Sequence, residues 1–236
     1  MIDFYGERKL AFYAVKRESA PIVIGIHRST PELKRLRSPP PQVPGAPHDL
    51  AKKDYIFDMW AVNTTLQEIV ANVELRLFDT ETGNLLDKTV LDRQALPSNR
   101  SVGLMADHKV DDRTAIQAIA RDIDGRVIAR ASDWPQPLKH VHLPPSYDIN
   151  LRILDGEVEV TSSAPLKSLE LYITDENRHL TWGDNGIDVF PGDVYAIGVK
   201  GLLEGDDIGM RYYGMEWIPN RRQMDGILRL LVKRVQ

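Results

Sequence analysis

Between residues 182 and 201, apolar and polar positions alternate in short bursts, each ended by a turn pair. Asn185-Gly186 is the first pair, and the tight hairpin turn it favours needs positive φ at both central residues. Pro191-Gly192 is the second. Ile187 and Val189 follow the first turn; Tyr195, Ile197 and Val199 alternate with Val194, Ala196 and Gly198 after the second. The same period of two runs through Val73-Glu74-Leu75-Arg76-Leu77, which places one strand face in a core and the other in water. The pattern predicts further strands over 22–28, 55–62, 68–79, 85–91, 113–122, 126–131, 147–154, 157–162, 166–174 and 208–213. Turn signals stand between them at 79–84, Asp124-Gly125 and Asp155-Gly156. Short strands with turns every ~8–12 residues predict an all-β chain of antiparallel sandwiches rather than a parallel βαβ sheet.

The period changes at the two ends. Residues 5–19 predict a helix, with Leu10, Ala14 and Arg17 on one side and Phe12, Tyr13 and Val15 nearby. Lys16, Arg17 and Glu18 close it before Pro21. Such a helix needs a surface to cover. Two readings stand: it packs on the first sandwich, or it is the last helix of a domain that lies outside these residues. At the other end Met224, Ile227, Leu228, Leu231, Val232 and Val235 recur at helical spacing among Arg221, Arg222, Arg229, Lys233 and Arg234. That is a basic amphipathic segment, suited to its own sandwich, a partner or a membrane surface. Residues 38–47 hold five prolines after Lys34, Arg35 and Arg37, and read as a surface insertion more than as a proline-rich ligand. Trp134-Pro135-Gln136-Pro137 and Pro144-Pro145 bracket the expected boundary between two sandwiches.

The 236 residues are 42% hydrophobic, enough for two cores, and the net charge of −4 offers no basic field for nucleic acid. No apolar run approaches the ~20 residues of a membrane helix. With no cysteine, disulfides and thiol chemistry are excluded, which together with the charged N-terminal residues sets the expectation of a cytoplasmic location.

The search for chemistry yields few residues. Glycine-rich phosphate loops, nucleophile elbows and metalloprotease helices are missing from the sequence. His140 and His142 fit one strand face as a metal pair, but lack a third ligand nearby and read as linker-edge histidines. Asp184, Asp188 and Asp193 cluster at the two turns, in the role of bracing backbone amides rather than of holding calcium. Asn63-Thr64-Thr65 and Asn99-Arg100-Ser101 match the glycosylation acceptor pattern. No catalytic, cofactor-binding or metal-ligating residue is assigned, and no cofactor is expected.

Three blocks carry a resemblance: Phe4-Tyr5-Gly6-Glu7-Arg8-Lys9 with 11–18 and Ala20-Pro21; Asp133-Trp134-Pro135-Gln136-Pro137-Leu138-Lys139; and Trp182-Gly183-Asp184-Asn185-Gly186-Ile187-Asp188-Val189-Phe190-Pro191-Gly192-Asp193. In this order and spacing the chain resembles the C-terminal portion of β-mannosidases of glycoside hydrolase family two, especially the fungal intracellular type. The resemblance covers residues 3–213. It implies two immunoglobulin-like β-sandwich domains, 21–139 and 140–214, after a last helix of a (β/α)₈ barrel within 1–20. The segment 215–236 and the proline-rich stretch depart from the family pattern. Such enzymes remove terminal β-linked mannose with retention, through two glutamates on barrel strands upstream of the portion matched here, and no position of this sequence corresponds to either.

The resemblance therefore implies a non-catalytic accessory region. The alternative is a standalone carbohydrate-binding or protein-interaction module, with Trp60, Trp134, Trp182 and Trp217 as candidate sugar platforms. A third expectation is pairing with a barrel-bearing chain, or self-association, through the N-terminal helix.

Overall fold

The computed structural model describes residues 1–2, 6, 8–30, 55–144, 147–175, 177–203 and 205–215. The proline-rich stretch, the basic tail with Trp217, and Phe4, Tyr5 and Glu7 of the first sequence block lie outside these. Two compact units emerge: 19–142, and 1–18 together with 143–236.

The first unit is a sandwich of seven described strands: β1 (Ile22–Ser29), β2 (Tyr55–Asn63), β3 (Ile69–Asp79), β4 (Leu85–Leu96), β5 (Arg100–Val110), β6 (Thr114–Arg121) and β7 (Val127–Asp133). They form two sheets, β1-β2-β5 and β4-β3-β6-β7, with antiparallel pairing throughout. The period of two is realised physically. Ile22, Ile24, Phe57, Met59 and Ala61 from one sheet meet Ala71, Val73, Leu75, Leu77, Ile116 and Ala118 from the other in one core. Glu74 and Arg76 point the other way and pair with each other, and Lys88 joins Glu74 from β4 at 3.1 Å. Arg28 fastens β1 to the strands beyond it. Its nearly buried guanidinium donates to Asp133 Oδ2 at 2.6 Å and to the Thr114 and Asp111 carbonyls at 2.6 and 3.2 Å.

β5 and the second half of β4 carry no sequence signal. Neither strand has a fully buried face apart from Leu96 and Val110 at their ends, so the alternation imposed on them is weak. Bulges further break the period. Arg93 and Asp107 sit at positive φ, and their amides donate to Asn72 Oδ1 at 2.8 Å and Asp58 Oδ1 at 2.9 Å.

The terminal unit holds a helix, α1 (Leu10–Glu18), and seven described strands: β8 (Ile149–Leu154), β9 (Glu157–Ser162), β10 (Leu166–Ile173), β11 (Thr181–Trp182), β12 (Ile187–Val189), β13 (Tyr195–Lys200) and β14 (Ile208–Arg211). The sheets are β11-β13-β9-β8 and β12-β10-β14. Pro191-Gly192 turns as expected, with Gly192 at φ 73° and Asp193 N–H donating to the Phe190 carbonyl at 3.2 Å. Leu151, Val158, Val160, Leu169, Leu171, Ile187, Ile197 and Val199 fill the core between the sheets. Tyr13 of α1 joins that same core at 3% exposure. The surface under α1 is thus supplied by the terminal sandwich, which corrects the reading that placed the helix on the first. The buried position is Tyr13, whereas Leu10 and Ala14 are exposed.

Candidate functional site

Helix α1 and the segment 182–186 form the most elaborated polar site of the terminal unit. Trp182 ends β11 opposite Val199, and Gly183 N–H then donates to the Gly198 carbonyl at 2.7 Å. A side chain at 183 would stand 3.0 Å from that oxygen, a tight approach that glycine relieves. Gly186 has φ 62°, but Asn185 is not at positive φ, and the expected turn with both central residues left-handed does not form.

The reason lies across the sheet. β10 pairs with β12 at Leu169↔Ile187, so Asn185 stands where the next partner of Leu171 belongs. Its buried side chain supplies the pairing: Nδ2 donates to the Leu171 carbonyl and Oδ1 accepts the Leu171 N–H, both at 2.8 Å. An amide side chain here replaces one rung of the ladder.

Around this rung the carbonyls of Trp182, Gly183, Asn185 and Gly186 are met by cations from α1 and from Arg8 just before it. Arg17 donates to the Asn185 and Gly186 carbonyls at 3.0 and 3.1 Å and pairs with the Asp184 carboxylate. Lys16 Nζ reaches the Gly183 carbonyl at 2.7 Å, and Arg8 the Trp182 carbonyl at 3.3 Å while lying over the Phe12 ring. Lys16 and Arg17 occupy the last turn of α1, where the helix dipole also favours positive charge. Asp184 completes the arrangement by accepting the Tyr195 hydroxyl at 2.8 Å and the Asn185 N–H at 2.8 Å. Asp188 does comparable work at the bulge of β10, accepting Ser168 N–H at 2.8 Å and Lys167 Nζ at 2.7 Å. Ser168 is held there at φ 55°. Asp184 and Asp188 therefore brace backbone; Asp193 is buried at 3% exposure.

Beside the helix contact opens a cleft of about 640 Å³. Glu170 and Tyr172 of β10 and Arg211 of β14 form one wall; Arg178, His179 and Trp182 form another. Glu170 and Arg211 are cross-strand partners joined by two hydrogen bonds, of 2.6 and 3.1 Å. The hydrogen bond that Arg211 donates to Glu170 holds its guanidinium above its ordinary pKa against the opposing effect of burial. Arg178 is tied to Asp206 and to the Gly201 carbonyl.

The remaining sequence candidates are dispersed. Trp134 and Trp182 are buried, at 2% and 6% exposure, and Trp60 is half-buried across Gly25, so none of these presents a fully open sugar platform. His140 lies in a single 3-10 turn (Leu138–His140), not on a strand with His142. Among the described residues, no group of three or more His, Asp or Glu is placed to hold a metal ion. Asn63 is buried and saturated: Nδ2 donates to the Gln67 and Leu96 carbonyls at 2.8 Å, and Oδ1 accepts from Thr65. Asn99 is exposed, at the tip between β4 and β5.

Comparison with known proteins draws these observations together. Residues 56–140, within the first unit, match the family model of the mannosidase Ig/CBM-like domain. The chain is 34% identical over 226 residues to β-mannosidase B of Thermothelomyces thermophilus, covering 91% of this chain and 25% of the relative. It is 28% identical over 214 residues to β-mannosidase B of Emericella nidulans, covering 87% and 24%. Its fold matches the β-D-mannosidase of Dictyoglomus thermophilum with a TM-score of 0.64 at 19% identity, over 90% of this chain and 24% of that one. The exo-chitosanase of Amycolatopsis orientalis matches with a TM-score of 0.55 at 12% identity, over 89% and 28%. The chain thus spans about a quarter of the length of these relatives. The chain is homologous to the C-terminal, immunoglobulin-like region of β-mannosidases.

Proposed function

We propose that these two sandwiches are the accessory C-terminal region of a β-mannosidase, and that the terminal one anchors a helix leading in from the catalytic body. The observation that carries this reading is the grip on α1. One side of the helix is fixed by Tyr13, Lys16 and Arg17, with Leu10 against Gly186 and Arg8 reaching in from just before the helix, while Ala11, Ala14 and Val15 stay exposed on it. An apolar stripe on a helix so firmly held calls for a further packing surface. The relatives carry about three-quarters of their length outside the part matched here, and the unmatched part is the natural source of that surface. In this reading α1 is the last helix of a barrel. Self-association through the same stripe is the weaker reading, since three small or medium side chains offer little area for a stable dimer.

The region by itself is proposed to be inactive. Retaining hydrolysis of a glycoside needs two carboxyl groups ~5–5.5 Å apart across the scissile bond, one of them an available proton donor. Glu170, which lines the cleft, is instead committed to Arg211. Incubation of the purified 236-residue protein with an aryl β-mannoside is expected to give no turnover above the blank. Turnover that persists through repurification overturns the reading.

A further inference from the structure

We propose that the cleft of the terminal sandwich binds a neutral saccharide. Its size falls within the ~300–1,000 Å³ range of small-molecule sites. Its chemistry is mixed rather than of one sign: Arg8, Arg178 and Arg211 are interleaved with Glu170 and Asp175, and Arg211 and Arg178 already have carboxylate partners. An anion entering here meets two arginines already paired with carboxylates, Asp175, and Arg8 bonded to a backbone carbonyl. A sugar hydroxyl both donates and accepts, and such a lining suits it.

The geometry adds a fixed recognition element. The Glu170–Arg211 fork is held by strand pairing, and the Arg211 side chain is 65% exposed, so N–H groups remain on its open side. Tyr172 lies across β14 at Gly209, where a Cβ would fall 2.4 Å from the ring; glycine there lets the ring lie flat as part of the wall. The Arg211 guanidinium lies over the Tyr172 ring, 5.2 Å from its centroid, and the two form one rigid patch of the wall. Exposed Asp175, His179 and Thr181 surround the mouth. The edge of the ring and the rigid donor–acceptor fork together offer an apolar contact and hydrogen-bonding groups to a pyranose on one wall. This proposal stands whether or not the chain hydrolyses anything.

The test is an NMR titration of the 236-residue protein with a β-linked mannotriose, with chitotriose and inorganic phosphate as comparators. Saturable shifts of the Trp182 indole and Arg211 Nε–H resonances are expected with a saccharide. Arg211→Ala, at an exposed side chain, should keep the amide spectrum of the fold while weakening binding about tenfold or more. Tyr172→Phe should bind nearly as the parent does, and Tyr172→Ala more weakly. Absence of saturable shifts with both saccharides overturns the proposal and leaves the fork as sheet bracing. Saturation by phosphate alone overturns it in favour of an anion site. Saccharide binding unchanged in Arg211→Ala and Tyr172→Ala places the site elsewhere and likewise overturns it.

Discussion

Asn185 makes both backbone hydrogen bonds of Leu171, donating to its carbonyl and accepting its N–H at 2.8 Å each, across 14 residues of sequence. Leu171 is 1% exposed and Asn185 4%, so neither backbone group has water as a substitute partner. Replacing Asn185 by Ala leaves a donor and an acceptor unpaired in the core, at about 1–3 kcal/mol each. Asn185→Ala is expected to lower the stability of the terminal sandwich by roughly 3 kcal/mol. Asn185→Asp, which keeps an acceptor but loses the donor and buries a charge, is expected to do no better. Urea denaturation followed by tryptophan fluorescence measures both; a loss below ~0.5 kcal/mol for Asn185→Ala would show that the bonds contribute little.

The grip on α1 separates into an apolar and a polar part. Tyr13→Ala removes a buried aromatic from the core and should cost ~3 kcal/mol. Arg17 is 30% exposed at its side chain, so solvent screens its pair with Asp184 and the cost of Arg17→Ala is smaller, about 1 kcal/mol. The difference should appear locally. Hydrogen exchange of amides 10–18 is expected to accelerate about fivefold in Arg17→Ala while exchange in β9 and β13 stays unchanged. Equal acceleration throughout the terminal unit would mean that helix and sandwich open as one.

Much of this architecture was legible in the residues, and the exceptions share a cause. Strands with one buried face declared themselves, as at Val73, Leu75 and Leu77, because burial imposes a period of two. β5 did not, because its inward face is only partly buried and its period is broken by a bulge at Asp107. Asn185-Gly186 was recognisable as a turn, but its backbone conformation was set by Leu171, a partner no local rule could supply. The cleft was invisible for the same reason. Glu170 and Arg211 lie 41 residues apart and meet only because β10 pairs with β14.

Glu74 links charge to acid stability in the first sandwich. Burial pushes its carboxyl upward, but the hydrogen bonds and charges of Arg76 and Lys88 outweigh this and hold it below the ordinary range. A carboxyl depressed by folding contributes stability above its unfolded pKa, and that contribution is lost as pH falls through the folded value. The loss should develop below pH ~4.5 and be absent from Glu74→Gln, whose side chain does not titrate. Thermal midpoints of the two proteins are expected to converge as pH falls from 7 toward ~3. A gap that stays constant over that span removes Glu74 as a source of acid sensitivity.

Tyr147 gives the opposite sign in the terminal sandwich. Burial, then its hydrogen bond with Tyr212, raises the phenol well above its usual pKa. The rings meet edge-on at 5.7 Å. The folded state therefore prefers the neutral phenol. Its contribution is complete below the unfolded value of ~10 and is lost as pH rises through the higher folded one. Tyr147→Phe cannot ionise, so its stability should fall less steeply than that of the parent between pH 9 and 11 (~1 unit either side of the free phenol value). The variant also loses the bond with Tyr212, so at neutral pH it should be the less stable of the two, by about 1 kcal/mol. The two urea midpoints are thus expected to approach one another with rising pH; parallel curves would assign the alkaline sensitivity to other groups.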